Sequence, residues 1–307
     1  MRIGLQTKGL EGFYGTDGAY RMLAECGFDA ADASLNLLFL RNDIRCKKVP
    51  SALLENGKSF LELFRPWRNA AEKYQIGNDQ AHAPYPSFIW CPEDPEYNDI
   101  LLELLKKMII GCDYIHCRKL VIHPFFYPYE HAMTWDEERE VNINRYSRLI
   151  NTAKNYGVTI CMENIFTEHR QKCMFDACSD MREVSIWIDE LNRIANEKVF
   201  ALCLDIGHLH LLGLDVLQTM KTLGSRISAF HIHDNNGIED QHTAPYFGIV
   251  DWDRFIEGLR VIQYKETLSF ETVGIWEKIG RDMRINILKY LAATGRYFAE
   301  QAEMDDR

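Results

Sequence analysis

Two short runs, VTICMEN (158–164) and FALCLD (200–205), carry the reading of the fold. Each is almost continuously apolar instead of alternating, as in strands of a parallel sheet covered on both faces. Each also delivers an acid at or near its end, Glu163 and Asp205. Upstream, the same kind of run recurs as KLVIHP (119–124), NDQAHA (78–83), FDAADA (28–33) and RIGLQ (2–6). Downstream it recurs as ISAFHIHD (227–234) and TLSFET (267–272). Between the runs lie segments with apolar residues at helical spacing. LLELLKKMIIG (101–111), WDRFIEGLRVI (252–262) and NILKYLAATGRYFAEQ (286–301) are three of them. A fourth, VNINRYSRLINTAKNYG (141–157), closes on a glycine suited to a helix C-cap. Eight strands in strict alternation with helices predict an α/β chain folded as a single (β/α)8 barrel, one domain over 1–307. A doubly wound open sheet is the rival, and no GxGxxG or GxxxxGK[ST] run supports it. Three irregular stretches, 35–56, 164–180 and 235–251, each follow a strand and so belong on the catalytic face.

Bulk composition narrows the function. At 307 residues the chain has the length of one barrel, and its net charge of −10 opposes nucleic acid as the main partner. No basic segment followed by an apolar one opens the chain, and no apolar run approaches a membrane span, so no membrane association is expected. The nine cysteines (26, 46, 91, 112, 117, 161, 173, 178 and 203) include no CxxC pair. Free, mostly buried thiols in a reducing cytoplasm account for them, and a cytoplasmic location is expected.

The informative feature is where His, Asp and Glu fall. His82 ends strand three, His123 strand four, Glu163 strand five and Asp205 strand six, with His208 three residues on. His231 and His233 lie in strand seven, and Glu271 ends strand eight. Successive positions are one β–α unit apart, so on a closed barrel they converge at the end where barrel enzymes keep their chemistry. Carboxylates and imidazole together suit a divalent cation, and clustered buried carboxylates without one would be costly. Singly, each has a bland reading. A lone His in an apolar strand is usually a hydrogen-bonded core residue, and Asp205 could cap the next helix. His210 and His233 are expected to face away from His208 and His231, and His116, His131 and His169 to lie on the surface.

The ordered segments HAPY (82–85), IHPF (122–125), MENIF (162–166), LDIGH (204–208), HIHDN (231–235), DQH (240–242), GIVDW (248–252) and FETVG (270–274) resemble the xylose-isomerase-like TIM barrel superfamily. That superfamily holds sugar isomerases and epimerases together with zinc AP-endonucleases. The epimerase branch implies one cation on Glu163, Asp205, His231 and Glu271, Mn2+ first, with Mg2+, Co2+ or Zn2+ as alternatives. It implies that Glu163 and Glu271 move a proton on and off the carbon beside a carbonyl, while the cation stabilises the ene-diolate. His82, His123, His208, His242 and Glu168 would bind the carbohydrate. Glu168 is equally readable as a solvated loop acid. The endonuclease branch implies three zinc ions, with His82, His123, His208, Asp240 and His242 as further ligands. Against it stand the acidic charge and the lack of Lys/Arg clusters near the face, RNDIRCKK (41–48) excepted. A third reading, a lyase cleaving a sugar conjugate alongside a second subunit, draws on aromatics expected near the mouth: Phe13, Tyr14, Tyr85, Phe88, Trp90, Phe125, Phe126, Tyr127, Phe166, Tyr246 and Phe247. Relatives are often dimers or tetramers, so the resemblance leaves room for a homo-oligomer.

Overall fold

The apolar runs become parallel strands in the computed structural model, which describes residues 1–38, 49–55, 57–84, 95–125, 134–169, 172–175 and 178–304. In chain order the strands are β1 (Arg2–Gln6), β2 (Ala30–Ser34), β3 (Gly77–His82), β4 (Lys119–Ile122), β5 (Thr159–Glu163), β6 (Phe166–His169), β7 (Lys172–Phe175), β8 (Phe200–Asp205), β9 (Ile227–His231) and β10 (Thr267–Phe270). Eight of them form one parallel sheet in the order β10-β1-β2-β3-β4-β5-β8-β9. The ring closes between β9 and β10 through a single Ile232–Phe270 bridge. There Ile232 N donates to Ser269 O (2.9 Å) and Glu271 N donates to Ile232 O (3.1 Å). The barrel predicted from the alternation is therefore present.

Inside it, strand periodicity of two fixes what faces the axis. Val121, Cys161, Cys203 and Ala229 form a small buried apolar cluster with Ala201. These four stand two residues before His123, Glu163, Asp205 and His231, on the same faces. The cluster thus makes an apolar floor directly under the polar ring. A register shift between Leu202 and Cys203 brings Asp205 level with His231.

Helices cover the outside. Helix Met181–Ala195 starts at Asp180, whose carboxylate accepts from Arg182 N and Glu183 N, and it buries Val184, Trp187, Ile188 and Leu191 at helical spacing. Each such side chain contributes about 1.5–3 kcal/mol by leaving water. The helix expected over 141–157 is two, Trp135–Ser147 and Ile150–Tyr156. Between them Leu149 N bonds Tyr146 O, a tight three-residue turn that buries Leu149. Gly157 ends the second at φ 61, as its sequence position suggests. The stretch 164–180, read as irregular, contains the antiparallel hairpin β6–β7. Six of the cysteines are buried, Cys173 is half-buried, and Cys46 and Cys91 lie outside the described residues. Among the described residues no helix is long and apolar enough to cross a membrane.

Candidate functional site

Glu163, at the end of β5, is the hub of the polar ring. It is buried, with Oε1 2.9 Å from His231 Nδ1. Its Oε2 lies 3.1 Å from His123 Nε2 and 3.3 Å from His82 Nε2, and these two nitrogens are 3.1 Å apart. His231 Nδ1 also faces Glu271 Oε2 at 3.2 Å and Asp205 Oδ2 at 4.0 Å. Glu163, Asp205, His231 and Glu271 therefore bring one donor atom each within 4.8 Å of one another. Next to this group, His242 Nε2 is 2.9 Å and His208 Nε2 3.6 Å from Asp240 Oδ2. A cavity of about 270 Å3 opens above both groups, lined also by Lys8, Asn36, Ile165, Phe166 and Val273.

Three of the imidazoles are held in one sense. A backbone carbonyl can only accept, so a ring nitrogen bonded to one must carry the hydrogen. His82 Nδ1 donates to Ala83 O (2.8 Å), His208 Nδ1 to Asn164 O (2.8 Å) and His242 Nδ1 to Glu271 O (2.9 Å). In each, Nε2 is left to face the site. His231 is anchored the other way round, with Nε2 donating to Asp32 Oδ2 at 3.1 Å and Nδ1 turned inward. A carbonyl or carboxylate behind an inward lone pair is the usual outer support of a metal-bound histidine.

This donor set fits a divalent cation. Bonds of about 2.0–2.2 Å to nitrogen and oxygen put two ligands of one ion about 3 Å apart, the spacing of the His82, His123 and Glu163 atoms. Glu163 Oε2 is fully buried, yet neither imidazole meets it with hydrogen-bond geometry. The titration behaviour agrees. Burial alone would push the Glu163 carboxyl up, but His231 and His123 outweigh it and hold it well below the usual carboxylate range. Burial likewise opposes ionisation of Glu271, and His231 and His242 draw it down. Burial lowers both His82 and His123, yet Glu163 carries His82 upward while His123 stays down. Burial lowers His208 and His242 too, and their acidic neighbours overcome it, taking His208 well up and His242 to about 9.

The structure brings together all the ligand-type residues expected from the sequence: Glu163, Asp205, His231, Glu271, His82, His123, His208, Asp240 and His242. Asp205 caps a helix, as its position allowed. Its Oδ1 caps helix Ile206–Leu211 by accepting from His208 N (2.7 Å), while Oδ2 looks into the ring. His233 corrects the sequence reading. It does not face away. Two residues after His231 it lies on the same side, its Nε2 3.0 Å and 3.1 Å from the two Asp205 oxygens and its ring stacked on His242 at 3.8 Å. His210 does stay out of the ring, on Asn235 Oδ1. The side chains of Glu168 and His169, and all of His131, lie outside the described residues.

Four supporting residues escaped the sequence reading. Asp32 holds His231 and accepts from Gln80 Nε2 (2.8 Å). Gln6 donates to Glu271. Asn164 clamps β8, its side chain bonding both Asp205 N and Asp205 O. Asp234 gathers the 235–251 loop, accepting from Tyr246 N, Val250 N and Trp252 Nε1. A fully buried acid inside AADAS was the available signal for Asp32. The aromatic mouth is also corrected: among the described residues only Phe166 lines the cavity, edge-on to His208. Phe125 turns inward onto Tyr146, Phe247 packs on Tyr290, Tyr246 on Trp252, and Phe13 and Tyr14 flank Arg284. Tyr85, Phe88, Trp90, Phe126 and Tyr127 lie outside the described residues, as does 41–48.

Comparison with known proteins gives a family match over residues 21–287, to the xylose isomerase-like TIM barrel. An uncharacterized protein of Methanocaldococcus jannaschii is 23% identical over 228 residues, 73% of this chain and 74% of that one. A probable endonuclease 4 of Malacoplasma penetrans is 26% identical over 201 residues, 59% and 63% of the two chains. An inosose isomerase of Bacillus subtilis is 23% identical over 185 residues, 58% and 62%. The last two alignments thus span under two thirds of those proteins. Among solved structures, a 3-keto-D-glucoside 4-epimerase of E. coli superposes at TM-score 0.71 and 16% identity, covering 97% of this chain and 99% of that one. The IolI protein with a zinc atom superposes at 0.68 and 17%, covering 98% of each. At such identity these structures share the fold.

Proposed function

The chain belongs to the xylose isomerase-like TIM barrel family, and on that premise we propose that it is a metal-dependent isomerase or epimerase of a sugar, sugar phosphate or keto-sugar derivative. The observation that carries this is the paired carboxylates: Glu163 and Glu271 both meet one imidazole nitrogen, His231 Nδ1, at 2.9 Å and 3.2 Å. Epimerase and isomerase relatives support the same class. Glu163, Asp205, His231 and Glu271 would hold the cation, Mn2+ in the first instance. When bound, it would polarise the carbonyl and hydroxyl oxygens of the sugar. The residues do the rest. Glu163 and Glu271 are ionised, and one takes the proton from the carbon beside the carbonyl while the other returns it from the opposite side. His208, its Nδ1 fixed on Asn164 O, offers Nε2 to a substrate hydroxyl, and His82, His123 and His242 border the same space. The apolar floor and Ile165, Phe166 and Val273 limit water around the transferred proton.

The test is solvent exchange. Mn2+-loaded protein incubated with ketoses in deuterated water incorporates deuterium beside the carbonyl, followed by proton NMR. Glu163→Gln and Glu271→Gln each slow it roughly 10²- to 10⁴-fold. A ketose panel that exchanges no faster than with metal alone would falsify the reading. A second reading, metal-assisted phosphodiester hydrolysis, draws on one observation: His82–Glu163–His231 and His208–His233–Asp240–His242 are further groups able to hold an ion. Two or three equivalents of zinc per chain, dependent on His82 and His242, would favour it over the single equivalent expected here.

A further inference from the structure

Among the described residues lining the cavity, Lys8 is the one permanent cation, the charged remainder being carboxylates and histidines. Gln6, at the end of β1, reaches Glu271, and Lys8 follows two residues later at the rim of the same cavity. Its side chain is exposed, and among the described residues it has no ion-pair or hydrogen-bond partner. What sets Lys8 apart is its place at the cavity. Acids outnumber bases 45 to 35, and other cations near carboxylates do pair with them, as in Arg2–Asp79, Lys73–Asp17, Lys119–Glu266 and Arg254–Asp215. Lys8 stands beside a site rich in carboxylates and pairs with none of them. A second, independent feature lines the same cavity. Asn36 lines the cavity with its Oδ1 buried and without a hydrogen-bond partner. A buried carbonyl left without a donor is costly, so it calls for a hydroxyl or amine from whatever fills the cavity.

We propose that the substrate carries an anionic group, a carboxylate or a phosphate, which pairs with Lys8 at the rim while one of its hydroxyls donates to Asn36 Oδ1. This rests on the reading of the cavity as a carbohydrate site and narrows it to acidic sugars. A neutral sugar would use the histidines and carboxylates fully and leave Lys8 idle. An acidic one puts its charge at the only free permanent cation that borders the cavity among the described residues. Its carbonyl end is then turned toward Glu163 and Glu271.

The test is binding, independent of turnover. Calorimetric titration of the Mn2+-loaded protein uses three probes of one skeleton: D-fructose, D-fructose 6-phosphate and D-fructuronate. An acidic probe is expected to bind roughly tenfold tighter than fructose, the advantage shrinking with added salt. Lys8→Met removes most of that advantage and leaves fructose affinity unchanged, while Lys8→Arg retains part of it. Asn36→Ala weakens all three probes roughly threefold or more. The phosphate and carboxylate arms identify which anion is taken. Equal affinity for neutral and acidic probes, no binding by any of them, or indifference to Lys8→Met overturns the proposal. Lys8-dependent binding without solvent exchange of any ketose would sink the isomerase reading and leave this one standing.

Discussion

Gly207→Ala offers a test of the site's architecture that needs neither substrate nor cation. Gly207 lies inside LDIGH, between Asp205 and His208. Its side-chain hydrogen points straight at the His233 ring: a Cβ there would stand 1.9 Å from Cε1, 2.3 Å from Nδ1 and 2.5 Å from Nε2. Carbon atoms pack no closer than about 3.5 Å without strain, so the ring must retreat by more than about 1 Å. It has nowhere to go. It is fully buried, stacked on His242 at 3.8 Å and bonded to Asp205 at 3.0 Å. Overpacking of this kind costs about 1–3 kcal/mol, and losing a hydrogen bond to a charged group about 1.5–3 kcal/mol. Gly207→Ala is therefore expected to destabilise the metal-free protein by about 3–5 kcal/mol. Urea unfolding in chelator should show a lower midpoint at unchanged slope. The clash has one partner, so Gly207→Ala/His233→Ala should be more stable than the two single losses added together, by about 2 kcal/mol. A single variant within 0.5 kcal/mol of the parent, or strictly additive losses, would refute the packing argument.

Two further outcomes follow from the outer support of the ring. Asp32→Asn weakens the hold on His231 and lets its tautomer change, so cation affinity measured against a chromophoric chelator should fall roughly 10- to 100-fold; unchanged affinity would mean that Asp32 does not set the inward nitrogen. In the metal-free protein, burial lowers His242, but Asp240 and Glu271 outweigh it and raise it to about 9. A histidine whose folded value is raised contributes stability in full below its ordinary range and loses it as pH climbs through the folded value. Unfolding midpoints in chelator should thus decline between about pH 7 and pH 10, and Asp240→Asn should flatten that decline. A midpoint that rises across this interval contradicts the assignment.

Much of this was legible in the sequence because a strand's period is short and its ends are chemically marked. Runs such as VTICMEN and FALCLD needed only burial on both faces to be strands, and they are. Glu163 and Asp205 stood out because an acid at the end of an apolar run has few uses. His233 was misread through parity, since residues two apart in a strand share a face. Asp32, Gln6 and Asn164 were harder to see. Each acts through another side chain or a backbone atom on a distant strand, and no local pattern encodes a bond between residues 32 and 231 or 6 and 271. The hairpin β6–β7 was missed for a related reason. Its four-residue strands, FTEH and KCMF, lack both an alternating face and a recognised turn pair. The break at Leu149 left the apolar periodicity of 141–157 intact and so left no signal.

The closure of the ring carries one more consequence. β1 and β10 zip together over four residue pairs, so the first and last strands are firmly joined. The thin seam is β9–β10, a lone bridge at Ile232, and it runs between His231, His233 and Glu271. Local opening of a fold is cheapest where backbone pairing is sparse. Here that place is also where three of the inward groups meet. A bound cation would tie β9 to β10 through side chains where main-chain bonds are few, acting as a clasp. Breathing of the barrel and release of its ion would then be a single motion.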